Sequence, residues 1–276
     1  MTKTSWGGVA EWYEDLLEQS GNTFQEKVIL PNILRIIDPK EGMSIFDIAC
    51  GQGYFTRAFQ KAGANVYGCD ISKELIDLAR KHTSSKSEPS TKPGLSLKPI
   101  AYYVAPAEKL PPAKNFDVAT IILAIQNISD MKQAFSEAFR ALKPGGRLVL
   151  VINHPVFRIP QKTSWVWDEK TAQQYRRIDA YMSDAKIEID MKPGASADAD
   201  KAKNTGTDSV KTATKTVSFH HPLQSYFKAL NSAGFAVIRL EEWISHKQSQ
   251  KGPRAIEEDR IRKEIPLFMC IEAKKI

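Results

Sequence analysis

Between residues 43 and 153, short apolar runs alternate with amphipathic segments, and this rhythm limits the fold more than any other feature of the chain. The runs 44–49, 65–69, 100–104, 116–123 and 147–153 have the length and the β-branched or aromatic content of strands. The intervening stretches 54–62, 73–82 and 131–142 repeat apolar residues at helical spacing. Strands separated by helices connect through right-handed crossovers, which gives an α/β, doubly wound and mostly parallel sheet. The pattern resumes near the C-terminus with a helix over 222–233, stopped by Gly234, and strands over 236–243 and 266–273, for seven strands in all. The connector between those two strands is polar and lacks apolar periodicity, so they are expected to pair antiparallel.

Four regions follow. Residues 1–42 form an expected N-terminal helical lid, with Trp12, Leu16 and Leu17 on one apolar face and Val28, Ile29, Ile33, Leu34 and Ile37 on another. Residues 43–153 form the Rossmann-like core. Residues 154–218 interrupt the alternation and read as an insertion at the acceptor side. In it, Trp165, Trp167, Tyr175 and Tyr181 form either an aromatic acceptor pocket or the insertion's own small core. Its stretch 193–216 is rich in Ala, Asp, Lys and Thr and reads as flexible, and 84–99 reads as a second surface insertion. Residues 219–276 complete the sheet.

A hydrophobic content of 42% with 26% charged residues excludes a disordered chain. No apolar run reaches bilayer length, and the start, Met1 to Trp6, lacks the apolar core of a signal peptide, so the expected location is the cytoplasm. Cys50, Cys69 and Cys270 have no CxxC spacing, which favours reduced, packed thiols and no metal. Residues 1–153 hold 18 basic and 16 acidic side chains, the remainder 21 and 16. That mildly basic second half fits either an anionic acceptor or plainly solvated lysines.

The densest chemical signal is Phe46-Asp47-Ile48-Ala49-Cys50-Gly51-Gln52-Gly53, directly between a strand and a helix. The glycines permit a tight turn and let backbone amides approach a ligand at the carboxyl edge of the sheet. Asp70, in Tyr67-Gly68-Cys69-Asp70-Ile71, ends the second strand, where a carboxylate can accept two ribose hydroxyls. A dinucleotide fold shares these elements but wants a third glycine where Thr56 stands. The acid at position 47 suits a zwitterionic amino-acid tail better than a pyrophosphate.

With Ala105-Pro106-Ala107-Glu108-Lys109-Leu110-Pro111, Phe116-Asp117-Val118 and Ala141-Leu142-Lys143-Pro144-Gly145-Gly146-Arg147-Leu148, these motifs resemble the class I S-adenosylmethionine-dependent methyltransferases of the small-molecule type. The resemblance implies S-adenosyl-L-methionine as donor and S-adenosyl-L-homocysteine as product. It implies donor contacts at Tyr13, Asp47, Ala49, Gly51, Gly53, Asp70, Ile71, Ala107, Glu108, Ile122 and Gln126. Many members carry Asp where this chain has Pro106, which leaves the Ala107 amide to meet the adenine.

Methyl transfer depends mainly on positioning, so a base is not obligatory. The strand ends point to His154 as a candidate general base, or as a histidine that only orients a loop. Phe219-His220-His221-Pro222 offers His220 as the second candidate, since His221 abuts a helix start. Arg158 reads as an anion ligand or a surface pair. The leading expectation is transfer to oxygen, nitrogen or carbon of a small aromatic or amphipathic metabolite. Nucleic-acid or protein methylation and a non-catalytic binder remain rivals; no basic stripe interleaved with aromatics favours nucleic acid. The oligomeric state stays open.

Overall fold

The computed structural model describes residues 21–85, 97–190 and 215–276. A π-helical turn, Gln25–Ile29, runs into α1 (Leu30–Ile37). Then follow β1 (Ser44–Ile48), α2 (Tyr54–Lys61), β2 (Asn65–Asp70), α3 (Lys73–Ser85), β3 (Ala101–Val104), β4 (Phe116–Ile122), α4 (Met131–Ala141) and β5 (Leu142–Asn153). The insertion contributes β6 (Thr163–Asp168), β7 (Gln173–Ile178), β8 (Ala185–Asp190) and β9 (Lys215–His220). The chain closes with α5 (Leu223–Ser232), β10 (Phe235–Trp243), α6 (Ala255–Glu264) and β11 (Phe268–Lys275).

Seven strands form one sheet in the order β3-β2-β1-β4-β5-β11-β10. The five strands from β3 to β5 are parallel, and β11 is antiparallel to both its neighbours. The doubly wound α/β architecture and the antiparallel final pair are those expected. The reason for the final pairing differs, because α6 does stand between β10 and β11. Its buried side is little more than Ile261, so the segment carries no apolar periodicity to betray a helix.

Strand alternation sorts the core into two faces. Leu148, Leu150 and Ile152 join Phe46, Ile48 and Ile121 beneath α4 and α5. Val149 and Val151 join Ile45 and Val118 beneath α1 and α2. Ile29, Ile33, Ile36 and Ile37 are buried in that second face, so α1 packs as a core layer of the sheet; residues 1–20 of the expected lid lie outside the described residues. The Pro144-Gly145-Gly146 segment, which falls between the expected helix 131–142 and strand 147–153, also departs from that division. The strand begins directly after α4, at Leu142, and the segment becomes a bulge: Phe116 pairs with Leu142 but Val118 with Arg147.

The sixty-residue gap in the rhythm holds two antiparallel pairs, β6 with β7 and β8 with β9. Lys215 and Thr216, read with the flexible stretch, are strand residues, and Thr216 is buried. Positions 193–214 of that stretch lie outside the described residues. No described helix is long and apolar enough to cross a membrane.

An ionic cluster fastens α1 to the far edge of the sheet. Glu272 on β11, almost fully buried, pairs with Arg147 on β5 and accepts from Arg239 Nε at 2.9 Å. The Arg147 guanidinium in turn donates to the carbonyls of Ile36 and Ile37 at the C-terminus of α1, where a cation is favoured. Glu272→Ala should cost about 2–3 kcal/mol in urea unfolding, less than a fully buried pair because Arg239 is half-exposed. Glu188→Ala, removing an exposed pair with Lys215, should cost under about 1 kcal/mol; equal effects would show the cluster to be ordinary surface pairing.

Candidate functional site

The cleft is built at the switch point of the sheet, where β1 lies between β2 and β4 and their carboxyl ends diverge. β1 ends at Ile48, and the chain then turns through left-handed backbone at Ala49 (φ 56°), Gly51 (φ 57°) and Gly53 (φ 79°). Gly53 is also constrained sterically, since a Cβ there would meet Tyr102 Oη at 2.6 Å. The turn is anchored to β2. Cys50 N–H donates to the Cys69 carbonyl at 2.8 Å, extending the ladder by one residue. Gly51 N–H donates to Asp70 Oδ2 at 2.9 Å, and Ser72 N–H to Asp70 Oδ1 at 2.9 Å. Asp70 is buried, and its desolvation raises its pKa against the opposing pull of those amides.

Asp47 lies beneath the turn, 2% exposed. Strand alternation directs it, like Ile45, toward α2, and its cross-strand partner Thr120 shares that face. Thr120 Oγ1 donates to Oδ1 at 2.8 Å and Thr56 Oγ1, on α2, to Oδ2 at 2.6 Å. Thus Thr56, where a dinucleotide fold wants glycine, supplies a hydrogen bond to the motif's acid. Burial pushes Asp47 up to about 6 despite both hydroxyls.

These parts wall a cleft of about 770 Å³. Asp47, Ala49, Cys50, Gly51, Gln52, Asp70 and Ile71 form one side, and residues Ile122, Leu123, Ala124, Asn127 and Ile128, after β4, form the other. Leu123 also has left-handed backbone (φ 53°), uncommon for a branched residue and a form of strain that concentrates at functional sites. Gln52 is 1% exposed, and neither its side-chain oxygen nor its nitrogen has a partner among the described residues. A buried amide left unsatisfied on the wall of a cleft is free to hydrogen-bond a ligand there. Reading Gly51-Gln52-Gly53 for its glycines alone overlooked it.

A second cavity of about 1140 Å³ adjoins the first, sharing Leu123 and Asn127 with it. Gln126, Asn153, Pro155 and Arg158 line it from the sheet side, and Phe219, His220 and Tyr226 from β9 and α5. His220 is buried, and its Nε2–H donates to the Tyr181 carbonyl at 2.8 Å. His221 turns away, placing Nδ1 2.9 Å from Asp184 Oδ1.

Of the residues expected at a donor site, Asp47, Ala49, Gly51, Asp70, Ile71 and Ile122 meet in the first cleft, and Gln126 falls in the second. Gly53 stands behind the turn as the N-cap of α2. Ala107 is packed in the core and Glu108 accepts from Ser129 Oγ at 3.4 Å; neither lines either of these two cavities. Tyr13 lies outside the described residues. His154 does not reach either cavity: its Nε2 is 2.6 Å from Glu242 Oε1 on β10, and its Nδ1 accepts from Val156 N–H at 3.3 Å. Burial lowers its pKa, partly offset by Glu242. The four insertion aromatics do not form the pocket either. Trp165 and Trp167 lie under the guanidinium groups of Arg176 and Arg254, and Tyr175 is 51% exposed. Tyr181 uses its hydroxyl to accept from Leu223 N–H at 3.0 Å. Phe24, Phe219, Tyr226 and Phe268 supply the aromatic lining of the second cavity instead.

The cysteines are free, and burial raises each thiol's pKa. Among the described residues no group of three or more His, Cys, Asp or Glu could hold a metal.

The folded-state pKa of Asp47 lies above the 3.8 of an ordinary aspartate. Its contribution therefore favours folding fully below about pH 3.8 and is lost as pH rises through about 6. Asp47→Asn removes that slope, so its stability relative to wild type should improve by about 2–3 kcal/mol between pH 4 and pH 7 in denaturant titrations. Parallel stability curves for the two proteins would show that Asp47 titrates normally.

Comparison with known proteins agrees with this architecture. Residues 46–150 match the family described as methyltransferase domain. The demethylmenaquinone methyltransferase of Streptomyces avermitilis is 31% identical over 151 residues, covering 54% of this chain and 59% of that protein. A ubiquinone/menaquinone biosynthesis C-methyltransferase, UbiE, of Cereibacter sphaeroides is 32% identical over 116 residues, 41% of this chain and 43% of that one. The chain thus matches less than two thirds of the length of these relatives. The crystal structure of an S-adenosylmethionine-dependent methyltransferase from Mesorhizobium loti shares the fold, with a TM-score of 0.64 at 23% identity, covering 91% of this chain and all of that one.

Proposed function

We propose that this chain, whose residues 46–150 match the methyltransferase-domain family, moves a methyl group from S-adenosylmethionine in the first cleft to a small amphipathic acceptor in the second cavity. The observation that carries this reading is the contact of the two cavities at Leu123 and Asn127. A donor methyl and an acceptor nucleophile can meet there. The similarity to a demethylmenaquinone methyltransferase and to a ubiquinone/menaquinone biosynthesis C-methyltransferase favours a carbon of a quinone-like molecule as the acceptor atom.

The residues of the first cleft fit this donor. Each Asp70 oxygen accepts one amide and retains lone-pair capacity for a ribose hydroxyl. Gln52 offers an unpartnered amide, and the carboxylate of Asp47 gives the cleft floor a negative charge suited to an ammonium group. When bound, S-adenosylmethionine supplies an electrophilic methyl on a positively charged sulfonium. The protein's work is then to align the acceptor, keep water out and, for an acceptor that must lose a proton, receive it.

For that last role His220 is better placed than His154. Donation from Nε2–H to the Tyr181 carbonyl fixes the tautomer and leaves the lone pair on Nδ1. Both nitrogens of His154 are occupied, and it acts as a positioning residue that ties the end of β5 to β10.

Asp70→Ala should weaken S-adenosylhomocysteine binding by about 1.5–3 kcal/mol in calorimetry, and unchanged affinity would remove the ribose role. In single-turnover transfer to a reduced demethylmenaquinone, His220→Gln should slow chemistry by about 10²–10⁴-fold without altering donor affinity. His154→Gln, which can still donate to Glu242, should remain close to the wild-type rate. The reverse ranking of the two variants would return the base to His154.

A further inference from the structure

We infer that the second cavity selects an acceptor bearing an acidic group, a carboxylate or a phosphate, and that Arg158 is the residue that binds it. This inference rests on the reading of that cavity as the acceptor site.

Arg158 is set just past β5 by a turn in which its N–H donates to the His154 carbonyl at 2.9 Å. Its guanidinium group has no hydrogen-bonding or ion-pair partner among the described residues. Every other arginine described has one. Arg35 pairs with Glu241, Arg80 with Asp77, Arg140 with Glu137, Arg147 and Arg239 with Glu272, Arg177 with Asp179, Arg254 with Glu169 and Arg260 with Glu257. Arg57 donates to the Gln52 carbonyl, Arg176 to the Phe157 carbonyl and Thr163, and Arg262 to Ser249. The exception is therefore specific to the one arginine that lines the acceptor cavity.

The surroundings sharpen the point. Among the described residues, the cavity's lining contains no aspartate or glutamate. Desolvation, and after it the nearby charge of Arg158, lower the pKa of Arg176. Two guanidinium groups thus lie near each other with no carboxylate bonded to either among the described residues, and Arg158 is exposed at the cavity wall, where an incoming anion can reach it. On its other side Arg158 borders a smaller cavity with Glu258 and Arg262, and Glu258 there is 3.9 Å from Arg262. A guanidinium fork matches a carboxylate or phosphate in two parallel charge-assisted hydrogen bonds. The rest of the wall, Phe24, Ile189, Phe219, Tyr226 and Phe268, suits an apolar or aromatic body. An acid group on such a quinone-like body would engage Arg158 while its ring packs against these side chains.

The test uses matched acid and amide pairs as probes: 1,4-dihydroxy-2-naphthoate against its carboxamide, 1-hydroxy-2-naphthoate against its carboxamide, and 4-hydroxybenzoate against 4-hydroxybenzamide. Binding is measured by calorimetry in the presence of saturating S-adenosylhomocysteine. For at least one pair the wild type should prefer the acid by tenfold or more. Arg158→Gln should reduce that preference to within about twofold, and Arg158→Lys should retain part of it, while both variants bind S-adenosylhomocysteine as the wild type does. No acid preference across all three pairs, or a preference that survives Arg158→Gln, overturns the inference. A wild type that binds the acids through Arg158 but does not bind S-adenosylhomocysteine would instead defeat the methyltransferase reading and leave the anion site standing.

Discussion

The carboxylate of Asp70 is the fixture on which the cleft depends. By accepting the amides of Gly51 and Ser72 it holds together the loops that follow two neighbouring parallel strands. Without that tie, three left-handed residues in five positions would have little reason to keep their conformation. The same atoms retain lone pairs to accept from a ligand, so one group can serve as structural clamp and, in the proposed function, as ribose acceptor. Desolvation raises the pKa of Asp70 and Asp47 alike, and the two carboxylates lie close enough for Asp70 to raise Asp47 further. The cleft therefore holds two buried acids whose full ionisation a positively charged ligand would favour.

Strand alternation settles more of the chemistry than side-chain identity does. Asp47 and Thr120 face each other because their strands are in register and both side chains point toward α2. At the end of β5 the same rule separates neighbours: Asn153 lines the second cavity, while His154 is carried to Glu242 on β10. A histidine directly after a strand is thus no guarantee of a histidine in the cleft. Histidines 220 and 221 repeat the lesson at the end of β9, one held to Tyr181 at the cavity and the other turned to Asp184.

The sheet was legible because both of its faces are buried, which leaves near-continuous apolar strands and amphipathic helices in the sequence. The donor turn was legible because glycine spacing and the acid at a strand end leave local marks. What escaped were features whose determinants are distant in sequence. Strands β6 to β8 bury little, β7 alternating exposed and half-buried residues, and the side chains that β9 buries, Thr216, Ser218 and His220, are polar, so all four resemble loop composition. The partnerless state of Gln52 and Arg158 is a property of what surrounds them, and no local motif encodes it. Thr120 did leave a trace, as a hydroxyl amid the apolar run Val118 to Ile122, and register with Asp47 gives it meaning.

The central claim is that the two adjoining cavities hold donor and acceptor, meeting at Leu123 and Asn127. A crystal structure of the protein with S-adenosylhomocysteine tests it most directly. The account predicts ribose hydroxyls on Asp70, the amino-acid tail over Asp47 and Gln52, and the thioether sulfur directed at the opening into the cavity of His220 and Arg158. A product molecule bound elsewhere, or one whose sulfur points away from that opening, would contradict it.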